Sequence, residues 1–107
     1  PQDEVEAMVA EFRARRELIV DGLNSIRGVR CLKPSGAFYV FPDITETGLS
    51  GAELADRLLL EAGVSVLAGT AFGDVGWQHI RISYANSRER ISAALERMRA
   101  VIEPLVV

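Results

Sequence analysis

The apolar residues of the first quarter of the chain recur at helical spacing and predict an amphipathic helix over residues 2–26. Asp3 and Glu4 would lie in its first turn, where the helix dipole favours anionic side chains. Gly28 follows the last apolar position and predicts the end of the helix. The predicted apolar stripe consists of Val5, Val9, Phe12, Ile19, Leu23 and Ile26.

Capping residues indicate two further helices. Ser50 and Glu53 have the spacing of a capping box, which satisfies free backbone N–H groups of a first turn, and Gly63 predicts the end of that helix. Ser87 is a predicted N-cap for a last helix, which Pro104 should end. The predicted buried faces are Leu54, Leu58 and Leu59 in the first of these helices and Ile91, Leu95, Met98, Ile102 and Leu105 in the second.

Four short extended segments lie between the helices, over residues 29–32, 37–43, 64–67 and 78–85. They are rich in β-branched and aromatic residues, and the last alternates apolar with polar positions. The resulting order, α-β-β-α-β-β-α, predicts a single α+β domain over residues 1–107. Its sheet should be small and mostly antiparallel, with helices packed on one face.

Composition narrows the class of protein. The chain has 107 residues, 49% of them hydrophobic and 25% charged, which is typical of a globular domain. A net charge of −3 argues against a nucleic-acid partner. No segment approaches the roughly 20 apolar residues that cross a bilayer, so no membrane partner is expected. The lone Cys31 favours a cytoplasmic location, and a start at Pro1 indicates an excised piece or a processed product.

Arg81 is the strongest candidate for a functional residue. It stands between Ile80 and Ile82 in the last predicted strand, so its side chain should face away from theirs. A guanidinium in a sheet needs water or an anion, because burying it unpaired is very costly. Its planar fork matches a carboxylate through two hydrogen bonds, which lysine cannot do. Spacing alone leaves two interpretations open: a carboxylate-binding residue and an ordinary exposed strand arginine.

Three motifs bear on that choice. The sequences PSGAFYVFPD at residues 34–43, AGTAFG at 68–73 and HIRISYA at 79–85 occur in this order along the chain. Together they resemble signatures of fold-type I aminotransferases of the aspartate aminotransferase class, enzymes that use pyridoxal phosphate. The resemblance covers nearly the whole chain and implies the C-terminal small domain of such an enzyme. The family often has proline at the position of Ala68, a conservative departure that leaves the rigidity of this loop open.

The resemblance implies roles for individual residues. In that family the arginine of the R-x-S-Y-A strand binds the substrate α-carboxylate, and by motif match this is Arg81. Gly69 and Phe72 would lie in a loop near the mouth of the active site, and Gly36, expected to serve a turn, is a further candidate there. The remaining motif residues are expected to be structural: Phe38 and Phe41 in the core, and His79, Tyr84 and Asn86 in supporting positions.

The chain lacks the residue on which transamination depends. This chemistry needs a lysine that forms a Schiff base with the cofactor aldehyde. The only lysine is Lys33, in a Leu-Lys-Pro turn that does not resemble the family's Schiff-base motif. We therefore predict no catalytic residue, no metal site and no cofactor bound by this chain alone. The resemblance implies that a large domain of the same polypeptide holds pyridoxal phosphate, and that the full-length enzyme is a homodimer.

Three functional hypotheses remain at this point. The first is the small domain of a dimeric aminotransferase acting on amino acids and 2-oxo acids, inactive alone and exposing apolar surface where the large domain would dock. The second is a stand-alone α+β module that captures a small carboxylate through Arg81 without catalysis. The third is a structural or interaction domain in which Arg81 is only a surface charge.

Overall fold

The computed structural model describes residues 2–33, 38–69 and 77–106, and within them three helices and three strands form one small α+β unit. The elements in chain order are α1 (Gln2–Asn24), β1 (Tyr39–Val40), α2 (Gly51–Arg57), β2 (Leu67–Ala68), β3 (Ile80–Ser83) and α3 (Arg88–Ile102). A π-helical segment, Leu58–Ala62, continues α2, and two short 3₁₀ helices cover Thr45–Thr47 and Glu103–Leu105.

The described strands form an antiparallel sheet in the order β1-β3-β2. Val40 lies opposite Ile82, and Leu67 lies opposite Arg81, so the last strand in sequence is the central one. Two isolated bridges, Arg30 with Asp43 and Asp43 with His79, extend the pairing beyond the regular strands. The predicted α+β class and antiparallel sheet are confirmed.

The predicted element order is wrong at residues 29–32, which form no regular strand. Only Arg30 pairs with Asp43 there, through backbone hydrogen bonds of 3.0 and 2.7 Å. The next residue, Cys31, has its backbone N–H and C=O bonded to the side-chain amide of Asn24, at 2.7 and 2.8 Å. The Asn24 side chain thus takes up the backbone N–H and C=O groups of Cys31 that a neighbouring strand would otherwise bond. α1 ends at Asn24, two residues before the predicted end, and the Ile26 N–H bonds to the carbonyl of Leu23, three residues back, instead of continuing the α-helical pattern.

One face of the sheet is packed and the other is open. Val40 and Ile80 point into the core and are almost fully buried. Tyr39, Phe41 and Leu67 point the other way and keep 41–49% of their surface exposed. The core also contains the apolar faces of the helices: Ile19, Leu23, Leu54, Leu58, Ile91, Leu95, Met98 and Ile102.

The predicted stripe of α1 is only half buried. Ile19 and Leu23 are in the core, where α1 approaches α3 so closely that a methyl group on Gly22 would meet Leu95. Val5 and Val9 remain about half exposed, because the first half of this helix of about 34 Å runs beyond its partner. The periodicity identified the apolar face correctly, but it could not show how much of that face is covered.

Capping fixes the other two helices as predicted. Ser50 Oγ accepts from the Glu53 N–H and the Glu53 carboxylate accepts from the Ser50 N–H, both at 3.1 Å. Ser87 Oγ accepts from the Arg90 N–H at 3.2 Å. After α2 the π-helical segment ends at Gly63, whose φ of 66° lies in the left-handed region that glycine tolerates.

Leu59 was predicted to be buried and is instead more than half exposed. It lies in the π-helical segment, where the Val64 N–H bonds to the carbonyl of Leu58 and the Gly63 N–H to that of Leu59. Leu58 is fully buried, whereas Leu59, the next residue, lies outside the buried face of the helix.

Candidate functional site

Arg81 lies in the central strand, on the open face of the sheet. Its strand neighbours Ile80 and Ile82 face the other way, as the alternation predicted, and Ile80 is fully buried. Leu67 is its partner on β2, and the antiparallel register places Phe41 on its other side. Pairing on both edges fixes the backbone of Arg81, so the guanidinium projects from a rigid base.

Aromatic rings line the space around this guanidinium. The guanidinium carbon of Arg81 lies 4.3 Å from the centre of the Tyr39 ring, a cation–π geometry. Tyr39, Phe41 and Arg81 line a shallow cavity of about 260 Å³ together with Val40. Apolar walls exclude water from one side of the charge, and this strengthens its attraction for an anion. The arrangement suits a small molecule with a carboxylate and an apolar portion.

His79 supports the aromatic wall from two residues upstream on the same face. Its ring stacks on Phe41 with 4.8 Å between the ring centres and an angle of 12° between the planes. Its Nε2 lies 4.0 Å from the Asp43 carboxylate. Burial opposes the charge of Asp43, but hydrogen bonds from the Thr45 side chain and backbone prevail and hold the pKa of Asp43 below its usual value. The geometry agrees with a supporting position for His79.

Gly69 lies at the end of β2, buried, with its N–H donating to the carbonyl of His79 at 2.7 Å. Gly51 at the start of α2 packs against the same point, since a methyl group on it would clash with the His79 carbonyl oxygen. Gly69 therefore lies at the point where α2 packs against His79, the residue before the central strand. The other two predicted loop candidates, Phe72 and Gly36, lie outside the described residues.

The prediction that Phe38 and Phe41 belong to the core is wrong. They are 49% and 41% exposed, and Phe41 forms part of the wall beside Arg81. Tyr39, for which the sequence predicted no role, has a cation–π contact with the guanidinium. The alternation of side chains along β1 could have predicted this position. A sheet packed on one face would bury Val40, and its neighbours Tyr39 and Phe41 must then face outward.

Two further residues, Tyr84, which was predicted to be structural, and the lone Cys31, lie in the core. Tyr84 is buried, and its N–H donates to the carbonyl of Phe38 at 3.0 Å, while its ring meets Phe38 edge-on. Cys31 is buried, and this burial raises the pKa of its thiol to about 11. A thiol that stays protonated at neutral pH is a weak nucleophile, so Cys31 acts as a small apolar residue.

The described residues do not fit a pyridoxal phosphate site. The single lysine, Lys33, is exposed, whereas a Schiff-base lysine is activated by desolvation or a neighbouring cation. Among the described residues there is also no cluster of side chains suited to a metal ion. No described helix is long and apolar enough to cross a bilayer.

Comparison with known proteins identifies the family. The sequence model of aminotransferase class I and II matches residues 1–98. An aspartate aminotransferase of Pyrococcus horikoshii is 42% identical over 99 residues, which are 92% of this chain and 25% of the relative. The crystal structure of an aromatic aminotransferase from Pyrococcus horikoshii OT3 superposes with a TM-score of 0.91 at 42% identity, over 98% of this chain and 28% of that one.

A solved aspartate aminotransferase of Thermus thermophilus with maleate is similar as well. Its TM-score is 0.81 at 41% identity, over 94% of this chain and 25% of that one. The chain thus spans about a quarter of the length of the relatives that it matches. With the sequence and the fold in agreement, the chain belongs to the aminotransferase class I and II family.

Proposed function

We propose that this chain is the C-terminal small domain of a pyridoxal-phosphate-dependent aminotransferase, and that Arg81 binds the α-carboxylate of the substrate. The observation that carries the proposal is the position of Arg81. It is a fixed guanidinium on the uncovered face of the sheet, in contact with Tyr39 and flanked by apolar side chains. A bidentate arginine suits the group that every amino acid and 2-oxo acid shares.

Each part of this surface has a separate task in the proposal. Arg81 holds the carboxylate by two hydrogen bonds and so orients the Cα–H bond of the substrate. Tyr39 and Leu67, which are both half exposed, exclude water from the ion pair. Pyridoxal phosphate, when bound, supplies the electron sink for the Cα carbanion.

The cofactor site belongs to the remainder of the full-length protein in this proposal. Lys33 is exposed and is the only lysine of the chain, so the Schiff-base lysine must lie elsewhere. The open sheet face, with the exposed Tyr39, Phe41 and Leu67, would meet a large domain of the same polypeptide. We propose a homodimeric full-length enzyme and no transamination by this chain alone.

The proposed substrate class rests on the assignment of Arg81. Relatives of similar identity carry the names aspartate aminotransferase and aromatic aminotransferase. Maleate, found with the Thermus thermophilus enzyme, is a dicarboxylate, which agrees with a site that recognises carboxylates. We therefore propose an amino acid and a 2-oxo acid as the substrate pair.

The test is the Arg81→Gln variant of the full-length enzyme, compared on an amino acid and on the amine that lacks its carboxylate. Loss of the charge-assisted contacts should lower kcat/KM for the amino acid by roughly 100-fold while changing that for the amine little. Arg57→Gln is the matched control, because it removes one charge from an exposed arginine paired with Glu61.

An equal loss on both substrates would contradict the assignment of Arg81. The isolated chain, mixed with pyridoxal phosphate and 2-oxoglutarate, is expected to transfer no amino group and to show only sporadic borohydride labelling at Lys33 and the amino terminus. A stoichiometric adduct at Lys33 with amino-group transfer would instead make this chain an enzyme by itself.

A further inference from the structure

A second groove lies beside α3, and no residue that lines it also lines the cavity at Arg81. It has a volume of about 490 Å³, within the range of pockets that bind small molecules. Its apolar lining includes Ile82, Ile91 and Met98, and its polar groups come from Ser65, Ser83, Asn86, Arg90 and Arg97. Ile82 points to the face of the sheet opposite Arg81, so the groove contacts the central strand from the other side.

Local backbone structure explains why the groove exists. The pairing of β2 with β3 begins only at Leu67, although one further step of the register would place Val66 opposite Ile82. The left-handed turn at Gly63 sends the chain out of the π-helical segment before it reaches the sheet. The segment at Val64 and Ser65 therefore forms one wall, and α3 forms the other.

The charge around the groove is one-sided. Arg90 and Arg97 are seven residues apart on α3, so two helical turns place them on the same side of the helix. None of the described residues that line the groove carries a carboxylate. Five other arginines of the described part of the chain form ion pairs with carboxylates. No described residue gives Arg90 or Arg97 such a partner, although acidic residues outnumber basic ones by 15 to 12 in the sequence.

We propose that this groove binds a small organic anion with an apolar body. The apolar portion would lie on Ile82 and Met98, and the acid group would accept hydrogen bonds from Arg90, Arg97 and the Asn86 side-chain amide. The Asn86 carbonyl oxygen already accepts from the Ser87 N–H at 3.0 Å, which fixes the amide with its NH₂ group as the available donor. An acid group held by two guanidinium groups and an amide is a recurrent form of carboxylate and phosphate recognition.

The test is a titration of the chain with phenyl phosphate, followed by ¹H–¹⁵N NMR. Shifts are expected at residues 63–65, 82–83 and 86–98, and phenol, which has the same ring without the charge, should not cause them. Arg90→Gln and Arg97→Gln should each weaken binding about tenfold. Arg57→Gln, the matched loss of one exposed helical arginine, should leave the affinity unchanged.

Two outcomes would overturn the proposal within this titration. One is equal weakening by Arg57→Gln, which would indicate general attraction by charge. The other is loss, in the Arg81→Gln variant, of the chemical-shift changes at the residues that line the groove. That result would place the ligand at the cavity on the opposite face of the sheet. Persistence of these shifts in Arg81→Gln is expected, and it separates this inference from the proposed substrate site.

The same titration in the full-length protein distinguishes two sources of the anion. Shifts at the groove, weakened by Arg97→Gln, would support a free small molecule as the ligand. An acidic side chain from elsewhere in the polypeptide would occupy the groove permanently. The full-length protein would then show no response to phenyl phosphate, and this result would overturn the proposal of a small-molecule site.

Discussion

Arg81 shows how a single side chain acquires its chemistry from its neighbours. A guanidinium at an exposed helix position is a solvated charge of little consequence. In the central strand Arg81 has a backbone fixed on both edges and the Tyr39 ring 4.3 Å from its guanidinium carbon. The ring excludes water from one side of the charge, and this would strengthen its attraction for an anion.

Gly51 offers a test of how this strand is supported. The change Gly51→Ala would push a methyl group into the carbonyl oxygen of His79, a backbone atom that cannot rotate away. We expect a loss of about 1–3 kcal/mol in the free energy of unfolding, although alanine favours helix over glycine. Urea denaturation measures this loss.

Ala52→Ser is the control for that change, since Ala52 is exposed one residue further along α2. It should alter the free energy of unfolding by less than about 0.5 kcal/mol. A Gly51→Ala variant as stable as the original chain would show that α2 does not approach β3 as closely as the structure has it.

At the scale of the elements, local signals set the ends of the helices and long-range pairing set the ends of the strands. The side chains of Ser50 and Ser87 bond to backbone N–H groups three residues away, so a short stretch of sequence was sufficient to predict both helix starts. The strands are shorter than predicted: β2 covers Leu67–Ala68 and β3 covers Ile80–Ser83. The end of a strand depends on where the partner strand stops pairing with it. The alternation of side chains within one strand carries no information about that position.

The capping box of α2 predicts a measurable contribution to stability. Ser50→Ala removes an acceptor from the first turn and should lower the free energy of unfolding by about 1 kcal/mol. The melting temperature should fall accordingly. Ser92→Ala, at an exposed position inside α3, is the matched control and should be neutral or slightly stabilising, because alanine has the higher helix propensity. Equal effects at both positions would argue against the cap.

At the scale of the whole molecule, a few carboxylates connect elements that are far apart in sequence. Glu11 of α1 accepts from Arg88 at the start of α3 and from Arg15, and these bonds hold the pKa of Glu11 below its usual value. Glu103 accepts from the Arg27 backbone N–H and from Arg99, and its pKa is lowered too. The two contacts join α3 to the first helix and to the turn that follows it.

The sign of these shifts predicts a loss of stability in acid. A carboxyl whose pKa is lower when folded contributes stability above its unfolded pKa, near 4.5 for glutamate, and loses it as the pH falls further. The urea midpoint should therefore be steady from neutral pH down to about pH 5.5 and fall below about pH 4.5. Glu103→Gln should flatten that fall, whereas Glu96→Gln, at an exposed position with no ion pair among the described residues, should not. A midpoint that rises in acid would contradict this account.

The sequence by itself determined the features that depend on neighbouring residues. The helix starts at Ser50 and Ser87 follow from side chains that bond to nearby backbone groups. The outward direction of Arg81 follows from the period of two in a strand. The motifs at residues 34–43, 68–73 and 79–85 were also sufficient to identify the family, which the comparisons confirm. Local periodicity and motif spacing are properties of the chain before it folds.

Only the tertiary structure decided which surfaces are covered. Phe41 is as apolar as a core residue, yet it is exposed, because no described helix packs on its face of the sheet. Phe38 is half exposed as well, although its ring contacts Phe12 of α1. Val5 and Val9 belong to a regular apolar stripe but extend past α3. The groove beside α3 exists because Gly63 turns the chain before β2 joins β3. Burial and cavities depend on contacts between residues distant in sequence, and no local pattern specifies where those contacts end.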